Sequence, residues 1–216
     1  MPKYINTHYD FTVYTSPRVA STTLRSHILE INNLPHLADY PCRTLANIPM
    51  EYVRQLPDLG YVESLYEKAT TRYSIMLWRD PVERFLSFVR EFQINPHSVE
   101  SYIANWHKIM KGELKVDHKS LPIRGAYEET DWTWWHLLPQ TRIVGPADNH
   151  THVFHVSEYN TGFRELLMDI TGKSLSPQHA RESALYRPQV HCSEEQIERI
   201  KGYYELDYVN FSALKA

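Results

Sequence analysis

Apolar positions recur along this chain with two different periods, and the changes of period mark its elements. Phe11, Val13 and Tyr14 form a short aromatic and β-branched run that is broken at Ser16-Pro17. Beyond the break, Leu24, Ile28 and Ile31 return at helical spacing, so Phe11 to Ile31 is predicted as strand, tight loop and helix. The same sequence of events begins again at Tyr73. Tyr73, Ile75, Met76, Leu77 and Trp78 make a near-continuous apolar run, the pattern of a strand buried on both faces of a parallel sheet. Asp80 then supplies a helix N-cap, Pro81 a first helical residue, and Glu83 completes a capping box with Asp80. Phe85, Phe88, Val89 and Phe92 follow at i, i+3, i+4 and i+7, which gives that helix one apolar face.

Between and after these two units the pattern is weaker. Asn33 to Pro57 is rich in proline and polar residues and reads as a loop excursion with a short helix near Met50 to Leu56. Gly60 to Lys68 holds a strand or a short helix. Ser98 to Met110 is an amphipathic helix with Val99, Tyr102, Ile103, Trp106 and Met110 on one side, either core or the face of a homodimer. Gly112 to Glu129 is polar and loop-like. Arg142 to Gly145 and His152 to Val156 are predicted strands, Ser157 caps a helix that runs to Thr171 and stops at Gly172, and Ser193 with Gln196 forms a capping box for the last helix. Strands alternating with helices predict an α/β fold of three layers, α/β/α, around a central and mostly parallel sheet.

Composition narrows the class. A chain of 216 residues with 42% hydrophobic content supports one domain, taken as residues 1–216, with a sizeable core. The net charge of −3 provides no general field for a polyanion, so nucleic acid is not an expected partner. Lys111, Lys115, Lys119 and Arg124 are the best local basic cluster, a solvated surface or a contact for an acidic acceptor. Cys42 and Cys192 are far apart in sequence; a single disulfide is the alternative, and free thiols of a reducing compartment are the expectation. No basic-then-apolar leader and no long apolar run is present, so neither a membrane span nor a signal peptide is expected. His150, His152 and His155 are closely spaced, but His152 and His155 would face opposite sides of a regular strand, and no metal site is assigned to them.

The chemistry concentrates at the two strand-to-helix junctions. In the first, the amides of Ser21, Thr22 and Thr23 open a helix whose dipole adds roughly half a positive charge, and Arg18 lies beside them, which together make an anion site. A loop for a nucleoside triphosphate needs glycines and a lysine before its hydroxyl, whereas no glycine precedes Gly60. A plain connection capped by Ser21 fits the same residues. In the second junction, Arg79 stands at the end of the strand and Ser87 lies away from the apolar stripe, an arrangement suited to an anion at the carboxyl edge of a sheet. The alternative for Arg79 is an ion pair with Asp80 or Glu83.

PRVASTT, from Pro17 to Thr23, resembles the 5′-phosphosulfate loop of sulfotransferases in the form found in heparan 2-O-sulfotransferases. RDPVERFLS, from Arg79 to Ser87, resembles their 3′-phosphate motif. HLLPQ at His136 to Gln140, YRP at Tyr186 to Pro188 and YYELDYVNF at Tyr203 to Phe211 are similar to later landmarks of the chondroitin 4-O- and dermatan-type carbohydrate sulfotransferases. The resemblance implies a P-loop-like nucleotide-binding sulfotransferase fold. It also implies binding of 3′-phosphoadenosine 5′-phosphosulfate (PAPS), with adenosine 3′,5′-bisphosphate as product, no metal, and an acceptor with a free hydroxyl, a carbohydrate by analogy. Arg18, Ala20, Ser21, Thr22 and Thr23 would contact the 5′-phosphosulfate, with Arg18 also meeting the charge that develops on the leaving group. Arg79 and Ser87 would hold the 3′-phosphate, and Arg187 resembles the late basic residue that closes over it. Most of the family has lysine where this chain has Arg18; tyrosylprotein sulfotransferases have arginine. GYVESL places Tyr61 near the catalytic histidine of the 2-O-sulfotransferases, which leaves Glu63 as a nearby general base. His136 is the first candidate for that role, since an imidazole is a common general base, and a hydrogen bond to a backbone carbonyl is its structural alternative. Animal Golgi members carry an N-terminal membrane helix, so this chain is expected to be soluble and cytoplasmic. Two other classes stay open: a nucleotide kinase-like phosphotransferase with a degenerate P-loop, and a catalytically silent nucleotide-binding protein of the same fold.

Overall fold

The computed structural model describes residues 2–33, 59–63, 66–91, 103–104, 136–177, 190–211 and 214. They fall into two compact units interleaved along the chain, one of residues 1–78 and 143–181, the other of residues 79–142 and 182–216.

The first unit is built on a sheet of β1 (Pro2–Asn6), β2 (Phe11–Tyr14), β3 (Leu59–Glu63), β4 (Tyr73–Trp78) and β5 (His152–His155). Their spatial order is β3-β1-β2-β4-β5. β2, β4 and β5 are parallel neighbours, while β1 is antiparallel to both β2 and β3, so β3 points the same way as β2. The fold is α/β with a mixed sheet in which one strand is reversed. That reversed strand, β1, is absent from the sequence reading. Its turn into β2 has a local cause, because the Asn6 side chain accepts the Tyr9 N–H at 3.0 Å and Asp10 adopts a left-handed φ of 53°.

Period two sorts the sheet into faces. Tyr4, Val13 and Ile75 lie in register on one face, with Phe11 and Leu77 beside them, and all five are fully buried. Leu24, Ile28 and Ile31 of helix α1 (Ser21–Ile31) pack on this face together with Tyr159, Phe163 and Leu167. The apolar stripe predicted for α1 is therefore its core side. The opposite face is more polar. Thr12 meets Thr71 hydroxyl to hydroxyl at 2.8 Å, and the Tyr14 hydroxyl donates to the Glu67 carbonyl at 2.9 Å while accepting the Ala69 N–H at 2.7 Å. Burial pushes the Tyr14 phenol up to about 12.

After β5 the chain does not enter one helix capped by Ser157. A 3-10 turn, Val156–Glu158, comes first, then a π-type turn, Tyr159–Phe163. The helix proper is Arg164–Thr171. The cap is the His155 imidazole, which accepts the Ser157 N–H, while the Glu158 carboxylate accepts the His155 N–H. Thr161 departs from helical dihedrals (φ −112°, ψ −106°), and this kink splits what periodicity predicts as one element. The helix stops at Gly172 with φ 67°, as its glycine predicts.

The second unit contains α2 (Pro81–Glu91), the beginning of α3 (Gln140–Val144), and two later helices, Glu194–Tyr203 and Glu205–Phe211. Phe85, Phe88 and Val89 pack with Ile103, Leu137, Ile200 and Tyr204, while Phe92 lies outside the described residues. Gln140–Val144 corrects the strand expected from Arg142 to Gly145. Its first amides, Gln140 N–H and Thr141 N–H, donate to the two oxygens of Asp207, each at 2.8 Å. The cap thus comes from a residue far along the chain, and no local pattern announces it. Ser193 and Gln196 form the reciprocal cap predicted for the following helix. The elements predicted within residues 34–57 and 112–129, and all of the Ser98 to Met110 helix except Ile103 and Ala104, lie outside the described residues.

Candidate functional site

The first junction is a strained turn. Val19 N–H donates to Ser16 C=O at 3.2 Å, and Thr15 Oγ1 donates to Val19 C=O at 2.6 Å. Pro17 and Arg18 are then the two central residues, and Arg18 has a φ of 68°. This is the pattern of a type II turn, whose third residue is ordinarily glycine. Ala20 is left-handed as well, with φ 49° and ψ 18°. Two side-chain-bearing residues within three positions each carry a cost of about 1–2 kcal/mol in this region. Ala20 is the N-cap of α1 and offers no side-chain hydrogen bond, and no acidic residue lies in the first turn. Ser21, read as a cap in the alternative to an anion site, is instead the first helical residue. Ser21, Thr22 and Thr23 therefore open a helix whose positive end has no compensating carboxylate in its first turn. Further along α1, His27 fixes the helix to its surroundings: Nε2–H donates to Ser176 C=O at 2.8 Å and Nδ1 accepts the Tyr159 hydroxyl at 3.1 Å. Burial holds this imidazole below its ordinary pKa.

The second junction is regular and heavily braced. Asp80 Oδ1 accepts Val82 N–H at 3.0 Å and Glu83 N–H at 3.2 Å, which is the N-cap half of the capping box that the sequence predicts. The Tyr208 hydroxyl reaches both Asp80 oxygens at 3.4 Å. Arg79 Nε pairs with Glu83 Oε2 at 3.3 Å, which is the alternative left open for this arginine. The Glu83 side chain is 57% exposed, so the pair is of the surface kind that contributes little and can be exchanged for a stronger anion. Ser87 is half-buried on the same helix.

Three residues of this second unit are not singled out by the sequence reading. Arg84 is fully buried; it donates to His136 C=O at 3.0 Å and to Leu138 C=O, and its guanidinium lies 5.3 Å from the centre of the Tyr204 ring. The signal was present, since Arg84 and Phe88 are four apart and a charge on an apolar helix face must find buried partners. Asp207 is buried, and burial raises its pKa against the opposing effects of the Arg84 charge and the amides it accepts. Gln140 holds Arg79 by both backbone groups, accepting its N–H at 3.1 Å and donating to its C=O at 2.7 Å.

No protein-family model, no curated protein and no solved structure matches this chain. The reading of the site rests on its residues.

The strand ends that lead into the two motifs are neighbours in one sheet: β2 and β4 are parallel, with Tyr14 opposite Met76. Glu63 ends β3 at the same edge, opposite Pro2, while Lys3 is opposite Tyr14; Tyr61 is opposite Tyr4. His136 is half-buried, its ring 5.7 Å from that of Phe88 and its backbone carbonyl occupied by Arg84. Arg187 lies outside the described residues. Among the described residues no group of His, Cys, Asp and Glu could hold a metal. His150 is instead committed to Ser74 Oγ at 3.0 Å and to Val144 C=O at 2.7 Å, and burial lowers its pKa to about 4. Cys192 is a free thiol whose pKa burial raises. Among the described residues no helix is long and apolar enough to cross a membrane.

Proposed function

We propose that this chain is a sulfotransferase of the P-loop-like sulfotransferase fold, moving a sulfuryl group from PAPS to a hydroxyl of a carbohydrate acceptor. The observation that carries the reading is the first junction. A helix start with no side-chain cap and no acidic residue in its first turn, reached through left-handed Arg18 and Ala20, suits a bound phosphosulfate better than it suits a plain connection. The parallel pairing of β2 with β4 adds to it, because ligands of open α/β sheets bind beyond the carboxyl ends of such strands.

In this reading the amides of Ser21, Thr22 and Thr23 receive the 5′-phosphosulfate, and Ala20 gives the backbone close approach. Arg18 holds the 5′-phosphate and meets the charge that grows as the bond to sulfur breaks. Arg79 exchanges Glu83 for the 3′-phosphate, with Ser87 as a hydroxyl donor and Arg187 as the late basic residue. His136 takes the proton of the acceptor hydroxyl, with Glu63 as the second candidate. Catalysis then consists of positioning and of neutralising the leaving group.

The test is a comparison of ligands followed by transfer. Adenosine 3′,5′-bisphosphate should raise the melting temperature and ATP should not, and labelled sulfate should pass from PAPS to a member of a glycan panel. Stabilisation by ATP alone would overturn the reading in favour of a kinase-like enzyme. Stabilisation by the bisphosphate with transfer to no acceptor would leave a nucleotide-binding protein without catalysis. His136→Ala should lower turnover by about a hundredfold with bisphosphate affinity kept, the size of a lost general base; unchanged turnover would move the role to Glu63.

A further inference from the structure

Arg79 has its backbone placed by residues distant from it in the sequence. Its N–H and C=O are both bonded to one side chain, the Gln140 amide, at 3.1 and 2.7 Å, in the way a neighbouring strand would pair with it. Gln140 is fully buried, and its own N–H is held by Asp207 Oδ2 at 2.8 Å while Oδ1 takes the next amide, Thr141. Asp207 is itself buried, and burial raises its carboxyl pKa while the Arg84 charge and the two amides oppose that rise. One residue later in the same short helix, Tyr208 reaches Asp80, the residue that follows Arg79.

We infer that Gln140 and Asp207 are positioning residues for 3′-phosphate recognition: together they set the Arg79 backbone from which the guanidinium is aimed. This rests on the sulfotransferase reading and deepens it. A bidentate amide on a single backbone unit removes the freedom of the peptide that precedes α2, so the arginine is presented in one direction and less of its binding energy is lost to ordering. A residue kept only for packing would have no reason to match both polar groups of that one residue. The landmarks HLLPQ and YELDY then have a shared physical task in this chain, since the Gln of one and the Asp of the other are adjacent members of the same chain of hydrogen bonds.

The test reads selectivity rather than stability. For the wild type, the affinity for adenosine 3′,5′-bisphosphate divided by that for adenosine 5′-phosphate isolates the 3′-phosphate. Arg79→Ala should lower this ratio by about 10- to 100-fold. Gln140→Met, of similar volume, should lower it by about 5- to 10-fold with adenosine 5′-phosphate affinity kept. In the Arg79→Ala background Gln140→Met should change the ratio no further. Asp207→Asn, which keeps one acceptor oxygen, should give a smaller loss of about threefold and serves if Gln140→Met does not fold. An unchanged ratio in the folded Gln140 and Asp207 variants, or equal losses for both nucleotides, would overturn the inference while leaving the sulfotransferase reading intact. A wild type with no preference for the bisphosphate would instead remove that reading.

Discussion

Two strand-to-helix junctions arise from adjacent parallel strands of one sheet, yet they are built in opposite ways. The junction after β2 takes two left-handed residues, Arg18 and Ala20, and starts its helix without a side-chain cap. The junction after β4 starts its helix on Asp80, whose carboxylate is shared by two amides and the Tyr208 hydroxyl, and fixes the preceding peptide with Gln140. Where the helix dipole is left uncompensated, backbone amides are available to a ligand; where it is capped from within, a ligand must be met by side chains.

Changes at the braced junction should be the more costly. Asp207→Ala removes the acceptor for two amides, one buried and one part-buried, so about 2–4 kcal/mol of stability should be lost, measurable by urea unfolding. A loss under about 1 kcal/mol would mean that the bracing is ornamental. Acid should loosen the other side. Tyr14, the last residue of β2, lies with its ring 4.9 Å from His150, whose pKa burial lowers from 6.5 to about 4. Below pH 6.5 the unfolded chain binds a proton that folded His150 refuses, so stability should fall as pH drops from about 6.5 to about 4, by about 2–3 kcal/mol in all. His27, whose pKa is also lowered, acts with the same sign. His150→Gln should flatten the dependence of melting temperature on pH over that interval; an equally steep curve would remove His150 from the account.

Smaller effects sharpen the contrast between the caps. Asp80→Ala should cost about 1–2 kcal/mol, whereas Ser21→Ala, at a residue that caps nothing, should stay within about 0.5 kcal/mol. Equal costs would erase the distinction. Ala20→Gly should raise the melting temperature slightly, by the equivalent of about 0.5 kcal/mol, because glycine relieves the left-handed residue at some cost in unfolded-chain entropy.

What could be read in advance follows from how local each cause is. The β2–α1 and β4–α2 units are legible because strand runs, the Asp80 cap and the apolar stripes are all encoded within a few residues, and Gly172 and Ser193 mark their helix ends for the same reason. β1 escapes because five residues with a half-buried Ile5 carry too little pattern, although Asn6 and Asp10 around its turn are a usable signal. α3 reads as a strand because its cap is supplied by Asp207, and the segment after β5 reads as one helix because the kink at Thr161 is announced by no proline. Of the candidate site, Arg18, Arg79 and Ser87 can be named from motifs, but the partners that orient Arg79 cannot, since Gln140 and Asp207 acquire their meaning only when distant segments meet.

The reversed strand has a practical outcome for anyone handling the protein. β1 runs against its neighbours, so Pro2 sits level with Glu63, at the border of the sheet from which the Arg18 loop also departs. A segment inserted immediately ahead of Pro2 would therefore start at the same border of the sheet as the Arg18 loop.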